Sequence, residues 1–520
     1  MFDLIVQNGT LIDGIKTPHY RADVGIQGDR IAAIGYLGGE NARQIIDATG
    51  KVVAPGFVDV HNHSDAWLLK TPHLVSKTSQ GFTTEVIMAD GISYAPVNLQ
   101  TAHEWIYYLR SLNGLRLEEY QGWSSLADYM ERLDHRNVQN SIPHIPYANV
   151  RTLACGFGRQ PPDDFQMTMI IEEVERGMAA GAVGLSTGLD YIAQCFATTN
   201  ELIEAARPLL ADKGLYVTHM RYKKGVLPAL REAVAIGRRA GIPVHISHLK
   251  GGSSQESEEI LNYIDKVAVN EVDFSFDVYP YLPGSTMLNY MLPYEAWEDG
   301  PLGVLPRLRR PEIRRQLALS LREVQLEQIH IAWVQSRDNL QHQGKTLAQY
   351  VKEIGLPPEE VLCNLLIEEN LAVLLVFHQG EDDLIAPFLT HRLYMMGSDG
   401  IYHPDSVIHP RQYGSATRLL GRYVREQKLL SLEDAIYKLS GYPASRFGLK
   451  NRGYLREGAF ADLVVFDAEQ VADRATFAQP HQTSIGIDHV LVNGARVIAH
   501  GQAVDPLPKP LPGRALKFRR

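Results

Sequence analysis

The pattern of apolar and polar positions changes character twice along the 520-residue chain. Within residues 1–55, DLIVQNGTLID, ADVGIQGDRIAAIG and RQIIDATGKVVAP alternate apolar and polar side chains with β-branched residues, and so do ADLVVFDAE and DHVLVNGARVIAHGQ within 448–520. A period of two predicts strands, and the Asn-Gly, Gly-Asp and Thr-Gly pairs predict the turns between them. Between these ends, short apolar runs (GFVDVHNH, TTEVIMADG, GAVGLSTG, LYVTHMR, IPVHISHLK, VDFSFDVYPY, LYMMGSDG) alternate with longer stretches such as IEEVERGMAAG, ELIEAARPLLADKG, LPALREAVAIGRRAG and SLEDAIYKLSGYPASRFG. The longer stretches repeat their apolar residues at i, i+3 and i+4 and predict helices. Alternating strands and helices favour a parallel sheet, and about eight such units favour a closed barrel. The expected fold is therefore α/β. A (β/α)8 TIM barrel spans 56–447, with a small composite β-sandwich formed by the terminal segments 1–55 and 448–520.

One stretch, 285–379, breaks this rhythm. It carries Pro293, Trp297, Pro301, Pro306 and the basic run RLRRPEIRR at 307–315, and its helical segments are not each preceded by a clear strand. It is expected to be an insertion lying over one barrel face, with the basic run as a solvated helix face.

Composition narrows the function. Lys and Arg number 51 against 60 Asp and Glu, a net charge of −9, so the basic face that phosphate neutralisation needs is not expected and no nucleic-acid partner is inferred. No apolar run approaches the ~20 residues of a membrane span. The opening MFDLIVQNGTLIDG has no basic region before an apolar core and does not read as a signal peptide. The three cysteines, Cys155, Cys195 and Cys363, form no CxxC pair, which suits a reducing, cytoplasmic setting. The oligomeric state is left open.

The candidate chemistry lies at the ends of the apolar runs. His61 and His63 follow GFVDV two residues apart, on one side of a strand. Strand C-terminal ends are where barrel active sites are built. Alone, such a pair is modest evidence. However, Asp90 closes TTEVIMAD, His219 closes LYVTH, His248 closes IPVHISH and Asp399 closes LYMMGSD. A purely structural explanation covers one such residue, not six residues of the types that bind a divalent metal such as zinc. His245, three residues before His248, should face the opposite side and play a supporting part. His73, His103, His135 and His144 lack this setting and are expected at the surface or on helices.

On these residues the chain resembles the amidohydrolase superfamily and, within it, the N-acyl-D-amino-acid deacylases. The similarity runs through DLIVQNGTLIDG, APGFVDVHNHSD, SQGFTTEVIMADGISYAP, GAVGLSTGLDY, THMR, ISHLK, DVYPYLPGST, GSDG, HPRQYG, REGAFADLVVFD and VLVNGARVI. GLSTGLDY, ISHLK, YPYLPGST and HPRQYG are the segments more specific to deacylases. The resemblance implies His61, His63, His219, His248 and Asp399 as ligands of one or two divalent ions, zinc foremost. Many amidohydrolases bridge two metals with a strand-four lysine, which GAVGLSTG lacks; deacylases use a strand-two cysteine, and Asp90 stands at that place.

The resemblance further implies a reaction: hydrolysis of the amide of an N-acyl-D-amino acid by metal-activated water, with Asp399 as general acid and base. Lys250, Tyr279, Ser285 and Arg411 match the positions that hold the carboxylate and acyl group of that small-molecule substrate. After His219 the chain reads Tyr222-Lys223-Lys224 where an acidic residue is usual; these lysines are read as solvated rather than as determinants of an acidic substrate. Two other functions compete: a cyclic amide or imide hydrolase of the hydantoinase or dihydroorotase type, and a non-catalytic metal-binding or scaffold protein on the same barrel.

Overall fold

The computed structural model describes residues 1–519 except Gln379 and Glu381, and its architecture is α/β. Strands from both ends of the chain share one nine-stranded sheet. Phe2–Leu11, Tyr20–Gln27, Arg30–Gly35, Ala42–Asp47 and Val52–Pro55 come from one end; Leu463–Phe466, Ile487–Val492, Ala495–Ala499 and Gln502–Ala503 come from the other. Val52–Pro55 joins the two groups, running parallel to Phe2–Leu11 and antiparallel to Leu463–Phe466. Leu4, Val6, Val24, Ile26, Val53, Leu463 and Val465 pack into one buried cluster, as alternate positions on paired strands should.

Turn chemistry explains two junctions differently. Asn493 and Gly494 both have positive φ (48° and 80°), which is what a two-residue hairpin between Ile487–Val492 and Ala495–Ala499 requires. Asn8-Gly9, expected to be a turn, lies instead inside the continuous strand Phe2–Leu11. Asn8 has φ 62°, and the register with Tyr20–Gln27 slips between Val6 and Gly9, so the pair makes a bulge. Gly9 is needed there because a Cβ would come within 2.5 Å of Val53.

The central part alternates strands and helices. Its parallel strands are β1 (Phe57–Asp59), β2 (Phe82–Ile87), β3 (Asn140–Pro143, resuming after His144 as Ile145–Pro146), β4 (Gly184–Gly188), β5 (Leu215–His219), β6 (Val244–Ile246), β7 (Phe274–Val278) and β8 (Tyr394–Met396). They are buried throughout, as parallel strands covered on both faces are. β1, β2 and the first part of β3 form one sheet; the second part of β3 continues through β4, β5, β6 and β7 to β8 in another. At the open side, the Val60 N–H donates to Met396 O at 3.3 Å, Asp399 N–H to His61 O at 2.7 Å and His63 N–H to Gly400 O at 3.0 Å. Helix ends are marked chemically. Asp163 and Gln166 cap helix Asp164–Ala180, and Gly181 at φ 104° ends it, turning the chain into β4.

The stretch expected to be an insertion contains structure that its sequence pattern concealed. Gly284–Met287, Ile329–Val334 and Val373–Phe377 form a separate antiparallel sheet, with Val373–Phe377 in the middle. Helices Gly300–Arg307, Pro311–Ser320, Leu347–Ile354 and Pro358–Glu368 accompany it. The last position of the expected range, Gln379, lies outside the described residues. Within the basic run, Arg309, Arg310 and Arg315 are exposed, whereas Arg307 pairs with Glu298 and Asp299, and Arg314 with Glu360. No helix among the described residues is long and apolar enough to cross a membrane.

Candidate metal centre and substrate cavity

The ends of β1, β2, β5, β6 and β8 bring six ligand-type side chains together. His61 and His63 lie just past β1, in the segment held against Gly400 by an isolated parallel bridge at Asn62. Asp90 sits in the short helical turn Ala89–Gly91 after β2. The backbone around it is pinned by β4 and the turn that follows it: Ser186 Oγ donates to Met88 O at 2.7 Å and Gln194 Nε2 to Asp90 O at 2.8 Å. A Cβ on Gly91 would fall 2.3 Å from Gln194, so only glycine permits this approach.

One cluster results. His63 Nε2 is 3.2 Å and His61 Nε2 3.7 Å from Asp399 Oδ1. His219 Nδ1 is 3.0 Å from His248 Nε2. Asp90 stands between the two histidine pairs. Its Oδ1 is 3.5 Å from His61 Nε2 and 4.0 Å from His248 Nε2; its Oδ2 is 3.7 Å from His63 Nε2 and 4.0 Å from His219 Nδ1. His61 Nε2 and Asp90 Oδ1 are buried with no hydrogen-bond partner among the described residues. Orphaned donors and acceptors of this kind are costly unless something binds them. The nitrogen and carboxylate donor set fits a divalent ion such as zinc.

Asp399 is ionised despite its burial. Desolvation alone would raise its pKa, but the Arg411 guanidinium, with Nη1 2.9 Å from Asp399 Oδ2, and the contact from His63 hold the carboxyl well below the usual range. Arg411 itself is fully buried behind Asp399 and donates from Nη2 to Ser285 O at 3.1 Å; it does not line the cavity wall. Lys250, Tyr279 and Ser285 do. Lys250 Nζ donates to the Tyr279 hydroxyl at 2.6 Å and to Leu282 O at 2.7 Å. Burial, followed by the nearby Arg411 charge, lowers the Lys250 pKa to about 7. Ser285 Oγ is committed to Leu375 O. The cavity that holds His63, Asp90, His219, His248 and Asp399 has a volume of ≈ 460 Å³. A larger cavity of ≈ 820 Å³, between Lys223–Lys224 and the insertion, holds none of the ligand-type residues.

Several functional neighbours escaped the sequence reading. Asp277, within β7, accepts from His245 Nε2 at 2.9 Å and from the His248 N–H at 2.9 Å, and faces His61 Nδ1 at 3.6 Å. A carboxylate in the middle of an apolar strand was its only signal. Lys77 and Asp59, both fully buried, form an ion pair of 2.6 Å beneath the site, and Lys77 also reaches Ser398. Asp190 approaches His219 from β4's end. The expectation for His144 fails. It is wholly buried within β3 against Phe447, because a strand that crosses from one sheet to the next is enclosed on both sides. His73 is also buried and shares a 2.6 Å hydrogen bond with Thr78, while His103 and His135 are exposed. Lys223 and Lys224 are both exposed, as expected; Lys223 in addition lays its ammonium over the Tyr290 and Tyr294 rings and donates to Tyr290 O.

Comparison with known proteins places this geometry. The sequence profile of the amidohydrolase family matches residues 44–277 and 389–498. The chain belongs to the amidohydrolase family. The gap between the matched ranges contains the insertion's three-stranded sheet. Among curated amidohydrolase relatives, a D-aminoacylase of Alcaligenes xylosoxydans xylosoxydans is 37% identical, over 95% of this chain and 94% of that protein. An N-acyl-D-glutamate deacylase of the same organism is 36% identical, over 99% and 96%. Among solved structures, the N-acyl-D-glutamate deacylase of Bordetella bronchiseptica, complexed with zinc and a phosphonate mimic of the tetrahedral intermediate, superposes with a TM-score of 0.83. It is 33% identical, with 99% of each chain covered.

Proposed function

We propose that this amidohydrolase removes the acyl group from N-acyl-D-amino acids, releasing a carboxylate and a D-amino acid. The observation that carries the reading is the meeting of four histidines and two aspartates beside a half-buried lysine–tyrosine corner. The relatives named above, which act as deacylases of D-amino acids, support the substrate class. We further infer that β1 to β8 close into a (β/α)8 barrel, with the backbone bonds between the β1 and β8 ends as the closing seam. The terminal sheet and the insertion are then separate additions to it.

His61, His63, Asp90, His219, His248 and Asp399 would hold one or two ions, zinc foremost. Such an ion would supply a water molecule of lowered pKa and a Lewis acid for the amide carbonyl. The chain's own groups do the rest. Asp399, kept ionised by Arg411, accepts the proton of the attacking water and then delivers it to the leaving amide nitrogen. Lys250 and Tyr279 meet the substrate α-carboxylate, with the Arg411 charge reinforcing that corner from behind. A ring-opening hydrolase of the hydantoinase type needs no such corner, since hydantoin rings carry no free carboxylate.

Metal analysis tests the centre. The purified protein should hold one or two divalent ions, lose activity on chelation and regain it on zinc addition. Asp90→Ala should lower the ion content and Asp90→Cys should recover part of it. Full activity in metal-free protein contradicts the proposal, and unchanged ion content in Asp90→Ala removes Asp90 from the centre.

A further inference from the structure

We propose that Asp190 is a positioning residue: it orients His219 for metal binding and ties that ligand to the seat of the insertion. This rests on the metal-centre reading above. Asp190 follows β4 and its side chain is completely buried. Both oxygens are engaged. Oδ1 accepts the Tyr294 hydroxyl at 2.6 Å. Oδ2 accepts the Tyr290 hydroxyl and the Lys223 backbone N–H, each at 3.2 Å, and stands 3.4 Å from His219 Nε2. A carboxylate so occupied offers little to a ligand, although its partners border both cavities.

His219 shows what the carboxylate does. Its Nε2 is buried and completes no hydrogen bond among the described residues, and Asp190 is the carboxylate that faces it. A negative charge on that side favours the tautomer with hydrogen on Nε2. The lone pair then lies on Nδ1, the atom turned toward Asp90 and His248. Carboxylates fix the tautomer and ring orientation of metal-binding histidines in this way.

The second link runs outward. Tyr290 and Tyr294 belong to two short helical turns, Leu288–Met291 and Tyr294–Trp297, at the start of the insertion. The Tyr290 ring also packs against Tyr191 and faces His219, with centroids 5.5 and 6.2 Å apart. One buried carboxylate thus holds the ends of β4 and β5 and the first turns of the insertion in register.

The test is competition for Zn²⁺ between a chromogenic chelator and the full-length protein, comparing wild type, Asp190→Asn and the double variant Tyr290→Phe/Tyr294→Phe. Asp190→Asn keeps the shape and removes the charge, and should weaken zinc binding about 10- to 100-fold. The double variant keeps the charge but loses its two hydroxyl donors, and should weaken binding by a smaller factor. It decides the matter if Asp190→Asn does not fold. Wild-type zinc affinity in both variants, even with a lowered melting temperature of the metal-free protein, would make Asp190 merely structural and overturn the proposal. A wild-type protein that takes up no zinc would overturn the metal-centre reading itself, and this one with it.

Discussion

Asp90, His248 and Asp399 share an unusual backbone: all three have positive φ, at 56°, 39° and 49°. Such conformations cost of order 1–3 kcal/mol each for residues other than glycine and gather where the surrounding structure enforces them. Here the enforcing contacts aim carboxylates and an imidazole at one point. For Asp399 the consequence is chemical. Asp399→Asn should reduce turnover by about 10²–10⁴-fold or more, since a general acid–base group is lost, while the melting temperature stays close to wild type. Turnover within a few-fold of wild type would reduce Asp399 to a structural role. Lys250 allows a finer comparison. Lys250→Met should lower kcat/KM by roughly 10- to 100-fold for N-acyl-D-amino acids, the loss of one charge-assisted hydrogen bond, and much less for their carboxamides. Equal losses on acid and amide would show that Lys250 shapes the cavity without reading charge. The six ligand-type residues were legible because each ends an apolar run. Asp190, Asp277 and Lys77 were not, because their meaning depends on which strand ends face each other, and spacing along the chain does not contain that.

Among the elements, the shortest ones position the site. β1, β6 and β8 have only three residues each, and His61, His63, His248 and Asp399 lie beyond their last paired residues. Side-chain ties reinforce the few backbone bonds between the β1 and β8 ends. Asp59 Oδ1 accepts the Ser398 N–H at 2.8 Å, and Lys77, from the short helix Val75–Thr78, joins Asp59 to Ser398. Both charges are out of water, so removing one partner leaves the other uncompensated. Lys77→Met should therefore cost about 3–5 kcal/mol in denaturant unfolding. A loss below about 1 kcal/mol would show that the β1 and β8 ends do not need this pair. Element type was readable where periodicity was clean, as in Asp164–Ala180 and Val226–Ala240. It failed for Gly284–Met287, Ile329–Val334 and Val373–Phe377. Their antiparallel pairing spans long connections, and no tight-turn signal links one strand to the next. Asn8-Gly9 misled for a related reason, since one dipeptide serves both hairpin turns and bulges.

At the scale of the molecule, the first and last strands of the chain share one sheet. The central strands therefore leave and return at one side, and Asp462 and Asn493 tie that sheet to Asn140 of β3. The insertion enters directly after β7 and brings Tyr290 to the cavity that holds the ligand-type residues. Its first turns thereby complete a wall that the central strands alone do not provide. The terminal strands and the alternating centre were legible from periodicity. The insertion's role in walling the site was not, because it depends on contacts between Asp190 and tyrosines about a hundred positions away. The account's central claim is metal-dependent deacylation of D-amino acid derivatives, and one measurement tests it most directly: hydrolysis of paired N-acyl-D- and N-acyl-L-amino acids by zinc-loaded protein, before and after chelation. The account predicts turnover of the D-substrates alone or with strong preference, abolished by chelation and restored by zinc. Equal hydrolysis of both enantiomers, or hydrolysis that persists in metal-free protein, would contradict it.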